Sequence, residues 1–120
     1  MKITIEVIPH RLQRYNTAGD WTIDVEGNIA IRVSDMGDWR YNAAVAVHEL
    51  VEALLCRRAG VSQAEVDRFD DGFQGEGEPG DDHDAPYAQQ HCFATAVERM
   101  LIAALEVPWD EYEKAVEGLK

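Results

Sequence analysis

The sequence predicts an α+β fold in which a small N-terminal sheet precedes a long helix and further C-terminal helices. Two observations lead there: apolar residues recur every second position up to about Val33, and at helical spacing from about residue 40 onward. A third, the chain length of 120 residues, fits a single domain spanning 1–120 with one hydrophobic core.

The first strand is read from Lys2 to Ile8, where Ile3, Ile5 and Val7 alternate with Lys2, Thr4 and Glu6 before Pro9 ends the run. Trp21 to Val25 and Ile29 to Val33 alternate in the same way, and Glu26-Gly27-Asn28 between them suits a tight hairpin turn. The three strands are expected to form an antiparallel sheet.

A long helix follows, from about Asp38 or Asn42 to Ala59, with Asp or Asn as its N-cap and Gly60 as its stop. Ser62 and Glu65 have the spacing of a capping box, which predicts a short helix over Ser62 to Phe69. Residues 70–85 carry seven acids, four glycines and Pro79, and read as a long loop. Asp84 and Pro86 open the next helical pattern, which runs to about Glu106; after Pro108, Trp109 to Leu119 forms a last amphipathic helix. The tripeptides Gly19-Asp20-Trp21 and Gly37-Asp38-Trp39 read as two turns that each anchor a tryptophan. Cys56 and Cys92 both fall in apolar helical patterns and are expected to be reduced core residues.

The composition narrows the class of function. With 23 acidic and 11 basic side chains the formal charge is -12, which opposes binding to nucleic acid phosphates and to anionic membranes. No apolar run approaches the roughly 20 residues of a membrane span, and no secretory leader is visible, so a cytoplasmic protein is expected. Partners should be neutral, cationic or metallic.

The most informative segment is His48-Glu49-Leu50-Val51-Glu52. Residues four apart on a helix share a face, so His48 and Glu52 form a ligand pair for one ion. Glu49 is turned by about 100 degrees from His48, the offset at which the glutamate of a His-Glu-x-x-His helix acts as general base beside the metal. At the composition of this chain, chance would yield His-Glu-x-x-Glu roughly 0.04 times. The flanking residues are apolar, and charges in so apolar a helix require partners, which a metal would supply and a buried His/Glu hydrogen-bond network could supply instead. Two histidines and a carboxylate make a catalytic zinc set. His91 is the first choice for the second histidine, with His83 in the acidic loop and His10 as alternatives. Glu98, on the face of His91 with Thr95 between them, is expected to pair with Arg99 or a surface lysine, the alternative being that it or Thr95 orients His91 or Glu52. Asp81-Asp82-His83-Asp84 lacks the spacing of a calcium loop and reads as a solvated acidic lid, with a secondary metal site as the alternative.

The stretch from Gly37-Asp38-Trp39 through His48-Glu49-Leu50-Val51-Glu52-Ala53-Leu54-Leu55-Cys56, with Ala85-Pro86-Tyr87 to His91 and the Phe93 to Met100 helix, resembles small phage- and prophage-encoded proteins that look like reduced zincin-type metallopeptidases. The resemblance implies a minimal zincin-like fold, a zinc ion, a peptide or protein substrate, and Ile29 to Val33 as the edge strand that receives it. The chain departs from that pattern at Glu52, where such helices carry histidine. A competing reading is a non-catalytic, metal-stabilised acidic binding protein, such as a DNA mimic that blocks a host factor. Against it, nine of the 23 acids cluster between Glu65 and Asp84 instead of lying in phosphate-like rows.

Overall fold

A computed structural model describes residues 1–119 and confirms the α+β class. Strands β1 (Ile3–Ile8), β2 (Gly19–Ile23) and β3 (Ile29–Ser34) form one sheet in the order β1-β3-β2. Helices α1 (Trp39–Ala59), α2 (Gln63–Gly72), α3 (Ala88–Ala104) and α4 (Trp109–Glu117) follow, with a 3-10 turn at Pro79–Asp81 between α2 and α3.

The sheet is mixed, not antiparallel throughout. β2 and β3 form the expected antiparallel hairpin, but β1 pairs parallel with β3. The reason lies in the connection: ten residues, 9 to 18, carry the chain from the end of β1 past β3 so that β2 enters on the far edge. This also removes β3 as a peptide-receiving edge, because both its sides are paired and the edges are β1 and β2. β2 starts two residues before the expected Trp21 and ends at Ile23, since Asp24 is drawn into the turn. Its carboxylate accepts from the backbone N–H groups of Glu26 and Asn28, and Gly27 takes a positive φ of 82°. Val25 is left fully exposed.

α1 runs as expected from its cap to its stop. The Asp38 carboxylate accepts from Arg40 N–H, and Gly60 closes the helix in the left-handed region at φ 75°. The Ser62–Glu65 capping box is formed, and α2 runs three residues beyond Phe69. α3 starts later than expected, with Tyr87 as its N-cap and no side-chain cap, so that Asp84 and Pro86 remain in the loop. The repeated Gly-Asp-Trp tripeptide is not a repeated turn. Gly19–Trp21 lies in β2 with its indole buried, whereas Trp39 opens α1 and is exposed.

One face of the sheet, carrying Trp21, Ile29, Ile31 and Val33, packs against Ala44, Val45, Ala53 and Cys56 of α1. α3 lies along α1, with Ala94 and Ile102 buried, and Tyr112 of α4 closes that end of the core. Cys56 is a buried free thiol, as expected, but Cys92 is exposed, because it follows His91 by one position and so turns off the buried face. No described helix is long and apolar enough to cross a membrane.

Candidate metal centre

The centre is built from two helix faces. On α1, Ala44, His48, Glu52 and Cys56 recur every four residues and all are buried; on α3, His91, Ala94, Glu98 and Ile102 do the same work at spacings of three and four. Apolar residues thus seal the α1 stripe at both ends and alternate with the polar members on α3. His48, Glu52 and His91 are 8%, 5% and 8% exposed.

Their donor atoms converge on Glu52 Oε2. His48 Nε2 lies 3.1 Å from it and His91 Nδ1 lies 2.9 Å from it, with the imidazole rings edge to face at a centroid separation of 4.8 Å. One ligand atom from each of the three residues lies within 4.8 Å of the other two. Ligands of a tetrahedral zinc, at about 2.0–2.2 Å from the ion, stand about 3.3 Å from one another. The two contacts to Glu52 need only a slight expansion, and with all three ligand atoms within 4.8 Å of one another small side-chain shifts admit such an ion.

The outer contacts fit as well. His48 turns Nδ1 to Glu98 Oε1 at 2.7 Å, and Glu98 Oε2 accepts from the Tyr112 hydroxyl at 2.5 Å. His91 turns Nε2 to Asp81 Oδ1 at 3.1 Å. Trp21 Nε1 donates to Glu52 Oε1 at 3.0 Å. Metal-binding histidines characteristically donate their second ring N–H to a carboxylate, which fixes the ring and its tautomer. Here both histidines do so, although the Asp81 contact is the weaker because that side chain is 68% exposed.

The electrostatics describe the same arrangement without an ion. All four ring nitrogens face carboxylates, so four hydrogen bonds require both rings to be imidazolium. Burial opposes that charge on His48, but Glu52 and Glu98 override it and raise its pKa to about 11. His91 is raised by Glu52 against the same burial. Burial likewise works against the Glu52 carboxylate, and the hydrogen bonds from the two rings overcome it, bringing the group down to about 2. One divalent cation in place of the two inner protons leaves the total charge unchanged. The donor set therefore fits a metal in number, type, spacing and charge.

Glu49 sits beside the cluster and not in it. Among the described residues no hydrogen bond holds its carboxylate. Burial, then the neighbouring Glu52 charge, push it well above the usual carboxylate range against the pull of His48. It lines a cleft of about 960 Å³ together with His48, Glu52 and His91. Gly19 of β2 makes that position available: a Cβ there would stand 2.6 Å from Glu49 Cγ and 2.6 Å from Val45 Cγ1.

His91, of the three histidines considered for the third donor, joins the centre. His83 projects from the loop, 92% exposed on its side chain, between Asp82 and Asp84. His10 turns its ring nitrogens to Ser34 Oγ and Asn16 Oδ1. Glu98 takes neither expected role, since it holds His48; Arg99 instead lies over the Trp109 ring at 4.2 Å. Sequence reasoning missed Trp21, Tyr112, Asp81 and Gly80. The last packs on the His91 ring so closely that a Cβ would meet Cγ and Nδ1 at 2.5 Å. The signal for Trp21 and Tyr112 was a buried polar tip needing a partner; Asp81 and Gly80 gave none, as loop composition does not say which residue turns inward. Comparison with known families, curated proteins and solved structures finds no match to this chain.

Proposed function

We propose that the protein is a divalent-metal-dependent hydrolase acting on peptides, with zinc on His48, Glu52 and His91 and with Glu49 as the general base. One observation carries this reading: two imidazoles and a carboxylate converge at ligand spacing, each imidazole held from behind by a second carboxylate. A bound cation would supply Lewis acidity that polarises the scissile carbonyl.

The chain's own residues do the rest. Glu49, with a carboxyl raised well above the usual carboxylate range and so made more basic, and with no hydrogen bond to hold it, takes a proton from the attacking water as the water oxygen bonds to the carbonyl carbon. It returns that proton to the amine nitrogen as the C–N bond breaks, so one water is consumed and no net proton is gained or lost. Ten acidic residues line the cleft, with Arg99 as the only lysine or arginine among its described residues. Such a field favours neutral or cationic peptides. β2 borders the cleft, but Gln63 already accepts from Ile23 N–H and the Thr17 hydroxyl donates to the Gly19 carbonyl. An extended substrate is therefore held mainly by side chains of the cleft.

The burial of all three donors favours, as a second reading, a structural metal that cross-links α1 to α3. Elemental analysis of protein purified without chelators tests the shared premise and should find one divalent ion per chain. Metal-free protein that gains none from added zinc refutes both readings. Glu49→Gln then separates them. Metal content should persist while cleavage of a peptide library falls at least about 100-fold. Loss of the metal would make Glu49 a ligand, and undiminished cleavage would exclude it as the base.

A further inference from the structure

β1 is an edge strand that the rest of the fold leaves largely uncovered. Its Ile3, Ile5 and Val7 share the helix-facing side of the sheet with Ile29, Ile31 and Val33, yet they are 43%, 49% and 51% exposed, because the helical layer stops over β3 and β2. Lys2, Thr4 and Glu6 occupy the opposite face, and neither Lys2 nor Glu6 has an ion-pair partner among the described residues.

The edge is also oriented. Ile29 N–H donates to the Lys2 carbonyl and Asp35 N–H to the Ile8 carbonyl, so even-numbered residues point their main-chain groups at β3. Ile3, Ile5 and Val7 therefore point theirs outward, unpaired. A second strand can add there only in registers that set odd residues opposite odd ones.

We propose that a second copy of this chain adds there, β1 against β1 in antiparallel orientation, with the two-fold axis through Thr4. In this register Ile3 faces Ile5 of the second copy and Met1 faces Val7, as hydrogen-bonded pairs that form about eight main-chain bonds. On the other face Lys2 stands opposite Glu6 of the second copy, twice by symmetry, and Thr4 meets Thr4. These even positions are the non-hydrogen-bonded pairs, whose side chains approach most closely. The segment Lys2-Ile3-Thr4-Ile5-Glu6 is thus self-complementary in charge and in apolar character. The next allowed register, centred on Ile5, sets Lys2 opposite Ile8 and Thr4 opposite Glu6, and loses both ion pairs. The product is a continuous six-stranded sheet with an isologous interface, and the long apolar edge that would otherwise invite aggregation is covered.

Light scattering over a concentration series tests this with charge variants on the exposed face. The parent should give twice the chain mass. Glu6→Lys should weaken dimerisation about tenfold or more, the double variant Lys2→Glu/Glu6→Lys should restore it, and the two single variants mixed should pair with each other. A disulfide probe reads the register independently. In a Cys92→Ser background, Thr4→Cys places two thiols about 4.5 Å apart at Cα and should cross-link on mild oxidation, whereas Lys2→Cys should not. A monomeric parent, a Glu6→Lys variant as dimeric as the parent, or a double variant no better than the single one would each overturn the proposal.

Discussion

Replacing Glu98 is the sharpest probe of the metal centre, because Glu98 would touch no metal and yet fixes the ring of His48. Its Oε1 accepts from His48 Nδ1 at 2.7 Å and its Oε2 from the buried Tyr112 hydroxyl, and the Glu98 side chain is only 12% exposed. Glu98→Gln keeps an amide oxygen for His48, but its N–H₂ group can only donate to the Tyr112 oxygen, so the charge and the acceptor of the Tyr112 hydroxyl are lost while the hold on the ring is kept. Its zinc affinity, read by chelator competition, should fall about tenfold, the lower end of what carboxylates behind metal-bound histidines contribute. Glu98→Ala removes both acceptors, frees the ring and leaves the tyrosine hydroxyl buried without a partner. About 100-fold, or roughly 2.7 kcal/mol, is expected. In a His48→Ala background the same replacement should add almost nothing to the loss of affinity, since its effect passes through that ring. Unchanged affinity in a folded Glu98→Ala protein would refute the role of His48 as a ligand oriented from behind.

His91→Ala should abolish tight zinc binding while His83→Ala leaves it nearly intact; titration of the two variants with zinc shows at once if the ligand is in the loop instead. Binding should release about two protons near neutral pH, measurable by calorimetry in buffers of different ionisation enthalpy, because both rings are held as imidazolium in the metal-free protein. Zinc affinity should accordingly rise with pH. In metal-free protein the sign is opposite: the His48 contribution to stability is complete below the ordinary histidine pKa of 6.5 and is lost as pH rises toward about 11. Thermal melts across that range, with and without zinc, should diverge. Gly80→Ala should weaken zinc binding at unchanged helix content by circular dichroism, since its methyl group meets the His91 ring.

The sequence carries the local structure of this protein further than its topology. Asp38, Gly60 and the Ser62–Glu65 box act within one or two turns of chain, and each helix boundary they set is found within a few residues of its expected place. The direction of β1 was not legible. Alternation shows that a strand has two faces but not which neighbour it joins, and only the path of residues 9–18 decides that. The candidate site divides in the same way. His48 and Glu52 are tied by helix geometry alone, and His91 could be paired with them because two long helices in a small domain must pack together. Trp21, Glu98, Tyr112 and Asp81 reach the centre from four separate segments, and nothing local to any of them specifies the meeting.

The contact between Trp21 and Glu52 bears on what a histidine at position 52 would cost this fold. Glu52 presents two oxygens, one turned to the histidines and one accepting the indole N–H at 3.0 Å. A neutral imidazole in its place, with one nitrogen turned to the histidines, would present its remaining nitrogen as a donor. It would then face another donor, and the buried indole would be orphaned at about 1–3 kcal/mol. Positions 21 and 52 therefore constitute one choice: the cost of a histidine at 52 falls on the indole of residue 21 and should largely vanish where phenylalanine replaces that tryptophan, because no indole N–H is then left without an acceptor.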